Sequence, residues 1–102
     1  KDVGLIFTVD CGTLSYEPIN FSNKKGIDVI VLDHHQCEVQ LPEAHSIINP
    51  NRLDDESNLK YLCASGVTFL FLIALNKFLR ENKFFTDIKE PDLLQLLDLV
   101  ML

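Results

Sequence analysis

The chain has 102 residues, 47% of them apolar, enough for one modest hydrophobic core and too apolar for a disordered segment. Asp and Glu outnumber Lys and Arg by 15 to 9, giving a formal charge of −6 without a basic stripe. That balance argues against an autonomous nucleic-acid-binding domain, because the charge that grips a polyanion must come from metal ions or from elsewhere in a longer protein.

The start, "KDVGLIFTVDCG", carries no cleavage pattern. The run "GLIFTV" (4–9) is short, apolar and β-rich, and "IDVIVL" (27–32) is a second of the same kind. Continuous apolar runs predict strands buried on both faces of a parallel sheet. Between them, "SYEPINFSNKKG" predicts a helix, with Pro18 in its first turn, Lys24 and Lys25 at its C-terminal end and Gly26 at C′. Strand, helix and strand within 30 residues make a βαβ unit, expected to be right-handed. "HSIINP" (45–50) reads as a third short strand stopped by Pro50, and "NRLDDESN" as a polar loop. Residues 65–82 predict a long helix with Ser65 as N-cap, its first turns buried all round, and Lys77, Arg80 and Lys83 complementing the dipole at its end. "EPDLLQLLDLVML" (90–102) predicts a further helix with Pro91 in its first turn, with a run into a strand as the alternative. The fold class is α/β, a parallel sheet with flanking helices. The longest apolar run, "VTFLFLIAL", is well short of the roughly 20 residues a membrane span requires, so no membrane partner is expected. Three cysteines at irregular spacing do not resemble a secreted disulfide framework, and a reducing, cytoplasmic compartment is expected. Neither end of the chain reads as a domain boundary, and both are expected to be cuts in something longer.

The polar residues gain meaning from that topology. Ligands of a parallel sheet bind beyond the carboxyl ends of its strands. Asp10 closes the first predicted strand, Asp33-His34-His35 the second and Asn49-Pro50 the third, so neighbouring strands about 4.8 Å apart would bring them together. Gly12 would let the backbone turn sharply after the first carboxylate. Carboxylate plus imidazole suits Mn²⁺, Zn²⁺ or Fe²⁺, whereas Mg²⁺ prefers oxygen ligands. A ligating imidazole needs an acceptor behind it, and Asp33 is a candidate. Adjacent residues at a strand end point apart, so His34 and His35 are expected to do different jobs, one on metal and one on substrate. Asn49, at the same edge, is a candidate substrate contact, as are Ser65 and Gly66, whose free N–H groups at a helix start could receive an anion. A capping acid at position 10, a solvated turn at 34–35 and plain capping at 65–66 are the structural alternatives. Cys11, Cys37 and Cys63 are expected to be apolar filler rather than zinc ligands, His45 a surface residue, and Asp54, Asp55 and Glu56 a solvated loop.

The blocks "TVDCG", "GIDVIVLDHHQ", "LPEAHSIINPNR" and "LCASGVTFLFLIAL", in that order and spacing, resemble the DHH phosphoesterase superfamily, and within it the RecJ-type single-strand-specific DNA exonucleases. The segment "CASGVTF" departs from the pattern, which often has an extra Gly and a following Lys. The resemblance covers nearly the whole chain. It implies that Asp10 is shared between two divalent metals, Mn²⁺ or Mg²⁺, that His34 is a metal ligand, that His35 contacts the scissile phosphate, and that Asp33 supports the histidines. It implies processive 5′-end removal of nucleotides from single-stranded DNA in recombination and repair, by two-metal hydrolysis. It also implies that an Asp-x-Asp motif would precede Lys1 and a further metal-binding Asp would follow Leu102. Residues 1–102 are then the central part of a catalytic domain, with an incomplete metal shell, and the isolated chain is expected to be inactive. Its open sheet edges could pair with another copy, giving a homo-oligomer. Two other readings compete: a different DHH hydrolase acting on oligoribonucleotides, cyclic dinucleotides or pyrophosphate, and a non-catalytic α/β nucleotide-binding scaffold.

Overall fold

Val29, Ile30 and Val31 are β-branched, which restricts their rotamers and favours extended backbone. They form the middle of β2 (Asp28–Leu32), flanked by β1 (Leu5–Val9) and β3 (Ser46–Ile48) in a three-stranded, wholly parallel sheet of order β1-β2-β3. The structure is a computed structural model and describes residues 2–101. As the sequence predicts, the fold is α/β.

Helix α1 (Tyr16–Lys24) carries the chain from β1 to β2, with Pro18 in the first turn, where a missing N–H breaks no helical bond. It stops in a Schellman motif: the Gly26 N–H donates to Asn23 O and the Ile27 N–H to Ser22 O, with Gly26 at φ 69°. Ile19 of α1 packs on Val29, Val31 and Ile47, with Ile6, Leu41 and Ala44 at the margin. Val31 is wholly buried, a contribution of about 1.5–3 kcal/mol from its apolar area. The other face of the sheet meets α2 (Ala64–Glu81), where the rings of Phe7 and Phe71 lie 5.7 Å apart. Ile6 and Phe7 are adjacent and so point to opposite faces, which is why the two helices form separate layers.

Several expectations change. β2 is buried, but β1 is the outer strand, and Leu5, Phe7 and Val9 remain 45–48% exposed. The N-cap of α2 is Cys63, whose carbonyl accepts the first helical bond from Val67, so Ser65 sits inside the first turn. Ala64, Gly66 and Val67 are buried, yet Leu70 and Ile73 further along α2 are 43% and 45% exposed, so burial does not extend around those turns. Lys83 lies beyond the helix at φ 58°, leaving Arg80 as the basic residue of the last turn. Pro91 precedes the final helical stretch: Asp92 accepts from the Leu94 N–H and starts a 3₁₀ turn, Leu93–Leu96, that runs into α3 (Leu97–Val100), with no strand. Leu102, the end of the predicted helix, lies outside the described residues. Cys11 and Cys63 are exposed, so apolar filler does not describe those two, whereas Cys37 is half-buried. No helix among the described residues is long and apolar enough to cross a membrane.

Candidate metal centre at the strand ends

The three strands end level. Val9, Leu32 and Ile48 are partners in register, and the ladder runs one step further: the Asp10 N–H donates to Leu32 O and the Asp33 N–H to Ile48 O, both at 3.0 Å. Asp10, Asp33 and Asn49 therefore form one row across the sheet's carboxyl edge.

At the first position the chain bends hard. Asp10 adopts a left-handed φ of 63°, which few residues but Asn and Asp tolerate, and Gly12 follows at φ 116°. A Cβ at Gly12 would lie 2.6 Å from Thr8 Oγ1 and 3.1 Å from both methyls of Val31, so the turn closes only over a glycine. Thr8 Oγ1, buried beneath it, has no hydrogen-bond partner among the described residues.

At the second position Asp33 is buried, and its carboxylate accepts from four groups. Oδ1 receives the His34 N–H at 2.8 Å, the His35 N–H at 3.4 Å and His35 Nδ1 at 2.6 Å, while Oδ2 receives the Thr13 N–H at 3.1 Å. Burial works against the charge, but the hydrogen bonds from Thr13, His35 and His34 outweigh it and hold the carboxyl far below the ordinary carboxylate range. In return, the hydrogen bond and charge of Asp33 push the His35 imidazole upward, and Asp10 adds to the effect. Asp33 thus supports His35 through its ring and both histidines through their backbone.

In front of this carboxylate, His34 Nε2 stands 3.1 Å from Asp10 Oδ1, and the two imidazoles lie 4.7 Å apart. Asp10, His34 and His35 each offer a ligand atom, and these atoms all fall within 4.8 Å of one another. The donor set of one carboxylate and two imidazoles fits a divalent ion such as Mn²⁺ or Zn²⁺ better than an all-oxygen Mg²⁺ shell. The His35–Asp33 pair is the kind of carboxylate support that ligating histidines use. The two histidines border the same cluster but meet different partners, His34 the Asp10 carboxylate and His35 the Asp33 carboxylate.

The other candidates are placed differently. Asn49 is 3% exposed, and its Nδ2 donates at 2.9 Å to both Thr13 Oγ1 and His35 O, while its Oδ1 accepts from the Asn51 N–H at 2.8 Å. It braces the row, with its amide nitrogen engaged by two acceptors and its Oδ1 by one donor. Ser65 pairs with Cys63 Sγ at 3.0 Å. The Ser65 hydroxyl, and after it the Gly66 N–H, draw the Cys63 thiol below its ordinary value. No hydrogen bond among the described residues joins Ser65 or Gly66 to the Asp-His-His cluster. Among the remaining residues, Arg52 pairs with Asp54 and also donates to Ile47 O, and His45 stands 3.7 Å from Asp28 on the surface.

Two contributors escape the sequence reading. Thr13 carries both an N–H for Asp33 and a hydroxyl for Asn49, and Asn51 Nδ2 donates to His34 O at 2.5 Å. The available signal was the Asn-Pro-Asn triplet directly after an apolar run, with an amide on either side of a strand-ending proline.

Comparison with known proteins agrees with this geometry. The profile for the DHH family, N-terminal domain, matches residues 2–102. The chain is 45% identical over 100 residues to the single-stranded-DNA-specific exonuclease RecJ of Salmonella typhimurium, covering 96% of this chain and 17% of that protein. It is 40% identical over 102 residues to the protein of the same name from Haemophilus influenzae, covering 100% and 18% respectively. A putative single-strand DNA-specific exonuclease of Bacillus phage SPbeta is 34% identical over 82 residues, covering 80% of this chain and 14% of its own length. The chain therefore spans less than a fifth of the length of these relatives. No solved structure matches it significantly. With that profile matching residues 2–102, the chain belongs to the DHH family.

Proposed function

We propose that residues 1–102 are the central part of the catalytic domain of a metal-dependent exonuclease that hydrolyses phosphodiester bonds of single-stranded DNA in recombination and repair, working from the 5′ end. The observation that carries this reading is the convergence of Asp10, His34 and His35 within 4.8 Å at the carboxyl edge of a DHH-family sheet. The identity to RecJ proteins over almost the whole chain supports the substrate class.

Asp10 and His34 would hold the divalent ions, Mn²⁺ or Mg²⁺. When bound, such ions polarise phosphoryl oxygens and acidify water at neutral pH. Asp33 fixes His35 through Nδ1, and the second ring nitrogen, Nε2, is the atom left to meet a phosphate oxygen. The formal charge of −6 supports a reading in which the DNA-binding charge comes from other parts of the protein. The three free cysteines suit a reducing, cytoplasmic setting. The open edge of β1, with Leu5, Phe7 and Val9 half exposed, offers the isolated chain a pairing surface for a second copy, which a concentration series by analytical ultracentrifugation would detect.

The test is the full-length protein with Mn²⁺, assayed on long single strands labelled at either end and on linear and cyclic dinucleotides. Preference for long strands with loss of the 5′ label first is expected, and Asp10→Ala or His35→Ala should lower kcat by at least about 100-fold. Preference for dinucleotides, or unchanged activity in Asp10→Ala, would overturn the assignment. The polypeptide 1–102 alone should show no measurable cleavage.

A further inference from the structure

The two imidazoles of the cluster are held in different ways. His35 has a carboxylate behind it, with Nδ1 at 2.6 Å from Asp33 Oδ1. His34 points Nε2 at Asp10, but its Nδ1 makes no hydrogen bond among the described residues. A ring without an acceptor at its far side takes its direction from the backbone that carries it.

That backbone is held at both ends. The His34 N–H donates to Asp33 Oδ1 at 2.8 Å, and the His34 carbonyl accepts from Asn51 Nδ2 at 2.5 Å. Asp33 serves both histidines, whereas Asn51 serves His34 alone. Asn51 is itself fixed through its own N–H, which donates to Oδ1 of the buried Asn49 at 2.8 Å. A rigid path thus runs from the end of β3 to the peptide of His34.

We infer that Asn51 is a positioning residue: its amide fixes the His34 carbonyl, and with it the direction of Nε2 toward Asp10, and so sets the ion affinity of the cluster. This rests on the reading of Asp10 and His34 as ligands. Asn51 does not touch the ion or the substrate. What matters is its donor, since the same loop could be closed by any side chain of similar size.

The experiment compares Asn51→Ala, Asn51→Leu and Asn51→Gln with the wild-type full-length protein, reading Mn²⁺ affinity from free-ion electron paramagnetic resonance and melting temperature in chelator. Asp10→Ala is the control for the cluster. The expected result is a Kd weakened by about 10–100-fold in the Ala and Leu variants, with the chelated melting temperature nearly unchanged and affinity partly recovered in Gln. Asn51 is half-buried rather than part of the core, so Ala carries the test if Leu fails to fold. A Kd within about twofold of wild type in Asn51→Ala, while Asp10→Ala loses binding, overturns the role of Asn51 and leaves the cluster standing. Equal weakening in all three variants with a matching fall in melting temperature makes Asn51 a loop staple, which also overturns it. Unchanged binding in Asp10→Ala removes the cluster reading, and the inference with it.

Discussion

A single missing Cβ decides whether the Asp10 turn can close. Gly12 combines φ 116° with a Cβ position 2.6 Å from the buried Thr8 hydroxyl, so Ala there must shift both the backbone and its neighbour. We expect Gly12→Ala to lower stability by about 1–3 kcal/mol in denaturant titration. Gly4→Ala, with nothing within 4 Å of the added carbon, should stay within about 0.5 kcal/mol. The cysteines differ as sharply. The Cys63 thiol is exposed and drawn down by Ser65 and Gly66, whereas burial and then the nearby Asp33 push the Cys37 thiol up. Timed alkylation with mass spectrometry should therefore label Cys63 well before Cys37. Asp10, Asp33, His34 and His35 were legible in the sequence because each follows an apolar run, and a parallel sheet delivers such positions to one edge. Thr13 and Asn51 were not, because their partners, the Asp33 carboxylate and Asn49 amide for Thr13 and the His34 carbonyl for Asn51, lie on other segments, whose proximity depends on the register of folded strands.

Helix ends show where local chemistry suffices and where packing overrides it. Gly26 closes α1 as its sequence predicts, since a left-handed C′ position is a local requirement that glycine meets without strain. Ser65 is by propensity a better N-cap than Cys63, yet the cap lies two positions earlier, where the Cys63 carbonyl receives the Val67 N–H. After α2, the chain is tied back by Arg80, which grips Glu90 through two hydrogen bonds, and by Asn76 Nδ2, which donates to Pro91 O at 3.2 Å. The Arg80 guanidinium beside Glu90 holds its carboxyl below the ordinary value. Because the folded value is depressed, this tie contributes fully above the unfolded pKa of about 4.3 and fades as pH falls through the folded value. The stability difference between wild type and Glu90→Gln should accordingly narrow below about pH 4, measured by thermal melts across an acid pH series.

Across the whole molecule, the sheet is well covered at one side and open at the other. The apolar run of β1 reads in sequence as a strand buried on both faces, and its half-exposed Leu5, Phe7 and Val9 follow from its place at the sheet margin. Periodicity reports how apolar a strand is, and strand order decides how much of it this chain can cover. The site depends on that order in a definite way, since Asp10 stands on the marginal strand while Asp33 and the histidines stand on the buried one. Unpaired margins are the parts of a sheet that fray first. Fraying of β1 would break the bond from the Asp10 N–H to Leu32 O and carry Asp10 away from His34 while Val31 and its neighbours stayed packed. On the proposed assignment of Asp10 and His34 as ligands, ion capture and closure of the sheet margin are one equilibrium seen from two ends. In hydrogen-exchange measurements on residues 1–102, adding Mn²⁺ should slow the Asp10 amide far more than the amides at the centre of β2.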